Sequence, residues 1–250
     1  AFRQLLLGAV GSPQALGETL SRTLILGLSG LAVAVSFRAG IFNIGAEGQF
    51  LAGAAAGAAG GLLLLPGGVP AVLAIPTLLF LGALAGACWS ALAGVLRQFR
   101  GVSEVISTLL LNLVAVWVLK LLVNAPGLLR DPATTFAKSA PPPAGAQFAG
   151  WGGTGFHVGF FLLFPAALAV YLLLFHTRAG RGIRATGFNW NAARACGIPV
   201  EQVMLSIFAW SAPAAAHPEF SPVVINRYVK FTLIDARQLR LAYTVMVGEG

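Results

Sequence analysis

From Val69 to Leu96 the chain carries no charged side chain. That run exceeds the roughly 20 apolar residues needed to cross a bilayer as a helix. A helix that is apolar all round must be surrounded by lipid or by a large core. The remaining composition decides between the two. Hydrophobic residues make up 57% of 250 residues and charged residues only 10%, against roughly 25% charged in an ordinary soluble chain. Too little charge remains to cover a water-facing surface, and the mean hydropathy is +0.82. The 31 glycines and 14 prolines occur also inside apolar runs, where bilayer helices tolerate them. Intrinsic disorder, a collagen repeat and a disulfide-stapled secreted domain are excluded.

The expected fold is all-α: a polytopic transmembrane helical bundle with one broken helix and about 5–6 spans. The spans are read at Thr19–Phe37, Ile44–Leu65, Val69–Leu96, Val102–Val123 and Gly155–His176, with a sixth start at Val203–Ala216. Pro213 and Pro218 cut that last segment short. The division is a membrane domain over 1–212 and a polar, divergent tail over 213–250. Arg178, Arg181, Arg184 and Arg194 form the densest basic cluster, which places Thr177–Gln202 in the cytoplasm. Counting back by pairs of spans puts Arg97, Arg100 and Arg38 on the same side. The loop Asn124–Thr154, with Pro141–Pro143 and Trp151-Gly152-Gly153, is then external.

The net charge of +8 follows this loop asymmetry. No basic stripe is interleaved with exposed aromatics, so no nucleic-acid partner is expected. Cys88 and Cys196 are too far apart in sequence to form a metal motif. His157, His176 and His217 are isolated, and neither H-E-x-x-H nor a phosphate-binding G-x-x-x-x-G-K-[ST] occurs. No catalytic residue, metal or cofactor is expected, and any ATP-driven work requires ATP bound on another subunit.

Two small-residue stripes, Gly53/Gly57/Gly61 and Gly82/Gly86/Ser90/Gly94, predict close helix packing. Polar residues inside spans are more informative. Gly40–Phe50 interrupts the chain and resumes as a helix, with Asn43 as its expected N-cap. Glu47 and Gln49 follow. A carboxylate within a span costs about 2.5–3.5 kcal/mol on insertion scales, so it normally faces a cavity or a partner. The alternative is an interfacial loop in which Glu47 caps the second span from water. Glu104, Thr108 and Asn112 fall at i, i+4 and i+8, with Ser103 and Ser107 alongside. That polar face either lines a hydrophilic path or joins helices by hydrogen bonds.

Three segments, in order, resemble the permeases of ABC importers for nucleosides and simple sugars, a class related to the branched-chain amino-acid and ribose permeases. They are GIFNIGAEGQFLAGA (Gly40–Ala54), GVSEVISTLLLN (Gly101–Asn112) with LLRDP (Leu128–Pro132), and GFNWNAARACGIPV (Gly187–Val200). The resemblance covers about Leu5–Ser206. It implies a permease core with cytoplasmic ABC ATPase subunits and an extracytoplasmic substrate-binding protein, in a bacterial cell (inner) membrane. The AEGQ form implies a second, different permease subunit, hence a heterodimer. On this resemblance Asn43, Glu47, Gln49, Glu104, Thr108 and Asn112 lie near the substrate pathway. Gly187, Asn189, Ala192, Ala193, Gly197 and Ile198 belong to a helix that couples to the ATPase. Asn189 is placed to cap a helix starting at Trp190 and ending before Gly197 and Pro199.

The resemblance stops after Ser206. The family continues with further spans, whereas Pro218–Gly250 is polar, and Val229–Ile234 alternates as a strand would. The expectation is a chain truncated or altered at its C-terminus, with more sequence upstream of Ala1. Three functions remain in view: an importer permease for nucleosides, sugars, branched-chain amino acids or another small polar solute; an ion-coupled secondary carrier; and a non-functional permease fragment. The carrier requires a mid-span acidic or histidine relay, for which Glu47 and Glu104 are the available groups.

Overall fold

The computed structural model describes residues 2–65, 69–124, 129–131, 139, 156 and 158–210. Among them the architecture is all-α, apart from one isolated bridge between Arg130 and Ser139. Nine α-helices are described: α1 (Phe2–Val10), α2 (Pro13–Arg38), α3 (Ala46–Leu63), α4 (Ala71–Arg100), α5 (Glu104–Asn124), α6 (Leu163–His176), α7 (Arg178–Phe188), α8 (Trp190–Ala195) and α9 (Val200–Trp210). A 3₁₀ turn, Val158–Leu162, runs directly into α6.

Local chemistry sets most of the boundaries. The Ser12 hydroxyl accepts a hydrogen bond from the Ala15 amide at 3.1 Å, and Pro13 occupies the first helical position. This cap starts α2 six residues before the apolar run that predicted it. α4 stops at Gly101, whose φ of +65° is the left-handed conformation that glycine adopts without strain. α1 lies outside the predicted spans; the Thr19 hydroxyl ties it to α2 by donating to the Ala9 carbonyl at 2.8 Å.

Among the described residues four stretches are long and apolar enough to cross a membrane: Pro13–Arg38, Ala71–Arg100, Glu104–Asn124 and Val158–His176. The expected count was five to six, and the difference lies at the second and sixth. The second forms α3 but is built of alanine and glycine, and ten of its 18 residues are buried. It is covered by other helices, so it does not need the large apolar side chains of a lipid-facing span. The sixth start is the short helix α9. Residues 211–250 lie outside the described residues, and with them Pro213, Pro218, the tail and the Val229–Ile234 strand. Most of the Asn124–Thr154 loop, His157 and His217 lie outside as well.

α3 is wrapped by its neighbours. Leu24 and Leu28 of α2, Phe50 and Leu51 of α3, and Ala115, Leu119 and Val123 of α5 form one core cluster. A second joins Val35, Ala39, Ile41, Ala93, Leu174, Ile183, Ile207 and Phe208. Both small-residue stripes are buried. A close approach of α3 to α4 falls one residue off the stripe, at Gly60, where an added Cβ would lie 2.6 Å from Leu81. Phe80, Leu84, Trp117, Leu121, Phe164 and Leu168 point outward, as side chains in contact with lipid do.

The basic clusters meet at one end, as alternating spans require. Arg38 and Arg184 both stack over the Phe175 ring, at 5.6 and 5.1 Å, and Arg97 stacks over Trp190 at 4.9 Å. The corner from α6 to α7 at this end is tight, because the Thr177 hydroxyl caps α7 and Gly180 sits against α6. A Cβ at Gly180 would lie 2.0 Å from the Leu173 carbonyl oxygen, which is backbone and has no room to yield. Gly180→Val is therefore expected to cost about 3 kcal/mol or more, the upper end for overpacking. The measurement is the thermal midpoint of the detergent-solubilised protein by size-exclusion chromatography. Gly8→Val, where an added Cβ meets nothing within 4 Å, is the neutral comparison.

Candidate functional site

The chain turns back after α2 and enters the bundle before α3 begins. Gly40, at φ +71°, makes the bend, and Ile41 is fully buried beyond it. α3 starts at the level of Ser90 and Asn112. These lie seven and eight residues from Arg97 and Glu104, about 10–12 Å along their helices. A helix beginning at that depth leaves the amides on its enclosed side, Gly48 among them, to be satisfied by protein groups.

Asn112 of α5 meets them. Its Oδ1 accepts from the Gly48 amide at 2.9 Å, and its Nδ2 donates to the Ile44 carbonyl at 2.9 Å. One carboxamide thus satisfies a free donor of the first turn and a free acceptor of the break. The expected N-cap, Asn43, does something else. Gly45 is the N-cap, without a side-chain bond, and Asn43 Oδ1 accepts from the Gly45 amide at 2.9 Å to shape the preceding turn. Asn43 sits two positions before the N-cap of α3, so the cap is supplied from another helix.

Around this point the structure gathers Asn43, Gln49, Thr108 and Asn112, each at most 7% exposed. Gln49 Nε2 donates to the Ser90 hydroxyl at 2.9 Å, and Asn43 Nδ2 approaches the Ser36 hydroxyl at 3.5 Å. Sequence reading missed both serines as polar partners: Ser90 was read as packing, and Ser36 was not singled out. The Thr108 hydroxyl donates to the Glu104 carbonyl of its own helix at 2.7 Å, and Ser107 does the same to Ser103 at 3.0 Å. Of the two roles left open for the α5 polar face, hydrogen bonding between helices describes Asn112. Thr108 and Ser107 are satisfied locally.

The two acidic candidates separate. Glu104 forms an ion pair with Arg97, largely buried on both sides. Glu47 lies exposed on the first turn of α3 and has no side-chain partner among the described residues. Beside it the Trp89 indole N–H is buried and unpartnered among the described residues; Nε1 lies 3.0 Å from the position of a Cβ on Gly48. An apolar groove of about 390 Å³, lined by Leu51, Ala52, Ala55, Trp89 and Leu92, opens between α3, α4 and α5. No group of three or more metal-ligating side chains occurs among the described residues.

The basic segment Thr177–Gln202 folds as its sequence indicates. Asn189 Oδ1 accepts from the amides of Asn191 and Ala192, at 3.0 and 3.1 Å, and starts α8. Gly197, at φ +78°, ends it, with Ile198 N bonded to the Ala193 carbonyl and Gly197 N to Arg194. These two bonds make a Schellman motif. Ala193 is buried, whereas Ala192, Arg194 and the 92%-exposed Phe188 face outward. Arg194 pairs with Glu201 on the surface, where such pairs contribute little. The Glu201 carboxyl is held below its ordinary value, first by its own backbone N–H and then by Arg194. Gly187 packs against the end of α2: a Cβ there would lie 2.1 Å from the Arg38 carbonyl oxygen.

A largely buried helix that begins inside a bundle of membrane-length apolar helices is the architecture of a polytopic membrane protein. The family described as "Branched-chain amino acid transport system / permease component" matches residues 15–217, and the chain belongs to it. The match runs past Ser206, where the sequence resemblance had stopped. The chain is 33% identical to the glucose ABC transporter permease protein TsgB13 of Haloferax volcanii, over 86% of this chain and 58% of the relative. It is 30% identical to the guanosine ABC transporter permease protein NupP of Bacillus subtilis, over 80% and 57%. It is 29% identical to the nucleoside ABC transporter permease protein NupB of Lactococcus lactis subsp. cremoris, over 82% and 57%. The chain thus spans somewhat more than half the length of these relatives. No solved structure matches it. It is a multi-pass protein of the cell membrane.

Replacing Asn112 leaves the buried Gly48 amide and the part-buried Ile44 carbonyl without their partner. Asn112→Leu is expected to destabilise the solubilised protein by about 1–3 kcal/mol, the usual cost of such a deletion. Thr108→Val, which removes a bond only to its own helix, is expected to cost under about 1 kcal/mol. Thermal midpoints measured side by side check the ranking, and equal costs would contradict the capping role.

Proposed function

We propose that this chain is the membrane-spanning permease subunit of an ATP-driven ABC importer that moves nucleosides or related sugars inward. The observation that carries the reading is a helix that starts inside the bundle and places Glu47 on an open face. Broken helices at membrane depth are the usual way to present polar groups to a polar solute. The three relatives carry the names of glucose, guanosine and nucleoside permeases, which favours that solute class over branched-chain amino acids. On this reading Glu47 borders the path. Asn43, Gln49 and Asn112 hold the break that shapes it, and Glu104 and Thr108 lie on the face of α5 beside it.

The partners are a cytoplasmic ABC ATPase, a second and different permease subunit, and an extracytoplasmic substrate-binding protein. α8 is the element that seats on the ATPase, with Gly187, Asn189, Ala192, Ala193, Gly197 and Ile198 setting its shape. Its capped, exposed and basic form supports that role. ATP hydrolysis takes place on the partner, and the permease opens alternately to the two sides. The membrane domain 1–212 carries this function.

The test is co-expression with the ATPase, the second permease and the binding protein, followed by uptake of labelled nucleoside. Uptake is expected to require a hydrolysis-competent ATPase. Unlabelled sugar or nucleoside is expected to compete, and leucine is not. Glu47→Gln is expected to lower uptake several-fold per assembled complex. ATP-independent uptake that follows an ion gradient would establish the carrier reading instead, and background uptake with no recovered complex would leave a non-functional fragment.

A further inference from the structure

Trp190 is the first residue of α8, and its indole lies under the Arg97 guanidinium at 4.9 Å. Arg97 is in the last turn of α4, and its ion-pair partner Glu104 is in the first turn of α5. Two turns along α5, Asn112 holds both the Ile44 carbonyl and the Gly48 amide. A continuous line of contacts therefore runs from α8, through Arg97 and Glu104, along the rigid helix α5, to the start of α3. A second contact acts at the other end of the break. The Trp190 indole nitrogen lies 3.7 Å, and the Gly187 carbonyl oxygen 3.6 Å, from where a Cβ on Gly40 would stand.

From this arrangement we propose that Arg97 is the positioning residue that transmits displacement of α8 to the broken helix. The inference rests on the reading that α8 seats on an ATPase. Arginine suits the position because its planar guanidinium stacks on an aromatic face while its N–H groups hold a carboxylate. A lysine ammonium is a point charge without a planar fork, so it fixes the two partners less rigidly. Arg97 and Glu104 side chains are only 23% and 14% exposed, so water screens this pair less than a surface pair. Movement of Trp190 shifts the guanidinium, and Glu104 with the foot of α5 follows.

The experiment reads the conformation of the break in the assembled transporter in lipid nanodiscs. Cys88 and Cys196, both exposed, are replaced by alanine, and Ile44→Cys supplies one reporter at a 44% exposed position within the break. The rate of labelling by a water-soluble maleimide is measured with and without ATP, on complexes recovered through the tagged ATPase. Loss of assembly is then scored separately from loss of response.

In the reporter background ATP is expected to change the labelling rate several-fold. Trp190→Leu and Arg97→Leu are each expected to bring that ratio close to one, and the double variant no further. Trp190→Phe, which keeps an aromatic face, is expected to retain most of the response, and Arg97→Lys less than half. A merely structural role would lower recovery of the complex and leave the ratio of the recovered fraction unchanged. An ATP response that persists in both leucine variants, or losses that add, overturns the proposal. If Arg97→Leu does not assemble, the contrast between Trp190→Leu and Trp190→Phe decides it. A reporter chain that recovers no ATPase overturns the docking reading of α8 and the relay with it. A bound ATPase with an unaltered response in the variants overturns the relay alone.

Discussion

A helix that begins inside a bilayer cannot rely on water for its first amides, and that constraint organises this protein. In α3 the requirement is met from outside the helix, by a carboxamide on α5 that donates and accepts at once. The arrangement fixes α3 in height and rotation relative to α5, because both bonds require one register. Gln49 and Ser90 fix the same helix against α4. Interhelical hydrogen bonds in membranes average only about 0.6 kcal/mol net. Their contribution here is therefore to register more than to overall stability.

Close packing does the rest, and it works by omission of side chains. Gly60 admits Leu81, and Gly94 admits Phe208 and Leu205. Gly187 admits the backbone of α2 and so joins α7 and α8 to the bend at Gly40. With no hydrophobic driving force between helices in lipid, such approach is what brings dispersion contacts into range. The interior helix α3 is consequently poor in large apolar side chains and yet the most enclosed of the long helices. Hydropathy counts it as a weak span for the same reason that packing makes it central.

Features governed by a few neighbouring residues were legible in the sequence. The Asn189 cap, the end at Gly197, the stripe from Gly82 to Gly94 and the alternation of basic loops all follow from local chemistry. The site was legible only as residue types. Asn43 was read as a cap because a polar residue before a helix usually is one, and its true role depends on where α3 begins. Asn112 and Gly48 are 64 residues apart, and Gln49 and Ser90 are 41 apart; no periodicity announces such pairs. Arg97 and Trp190 were passed over for a related reason. A basic residue at a span end and an aromatic in a loop are each ordinary, and only the fold brings them face to face.

The sparse acidic residues separate further once their surroundings are known. Glu18, Glu104 and Glu201 each pair with an arginine. Sequence spacing ranked Glu47 and Glu104 alike, as carboxylates within or beside a span. Glu104 is neutralised at the joint between α4 and α5. Glu47 sits one residue from the amide that Asn112 caps, at the same depth, and has no side-chain partner among the described residues. An isolated carboxylate at such depth costs about 2.5–3.5 kcal/mol on insertion scales, and its place on the first turn of α3 offsets only part of that. Either water or donors from a neighbouring subunit must therefore reach the first turn of α3. Both amount to a polar boundary on that face, which supports the proposal that Glu47, and not the enclosed cluster beside it, borders the solute path.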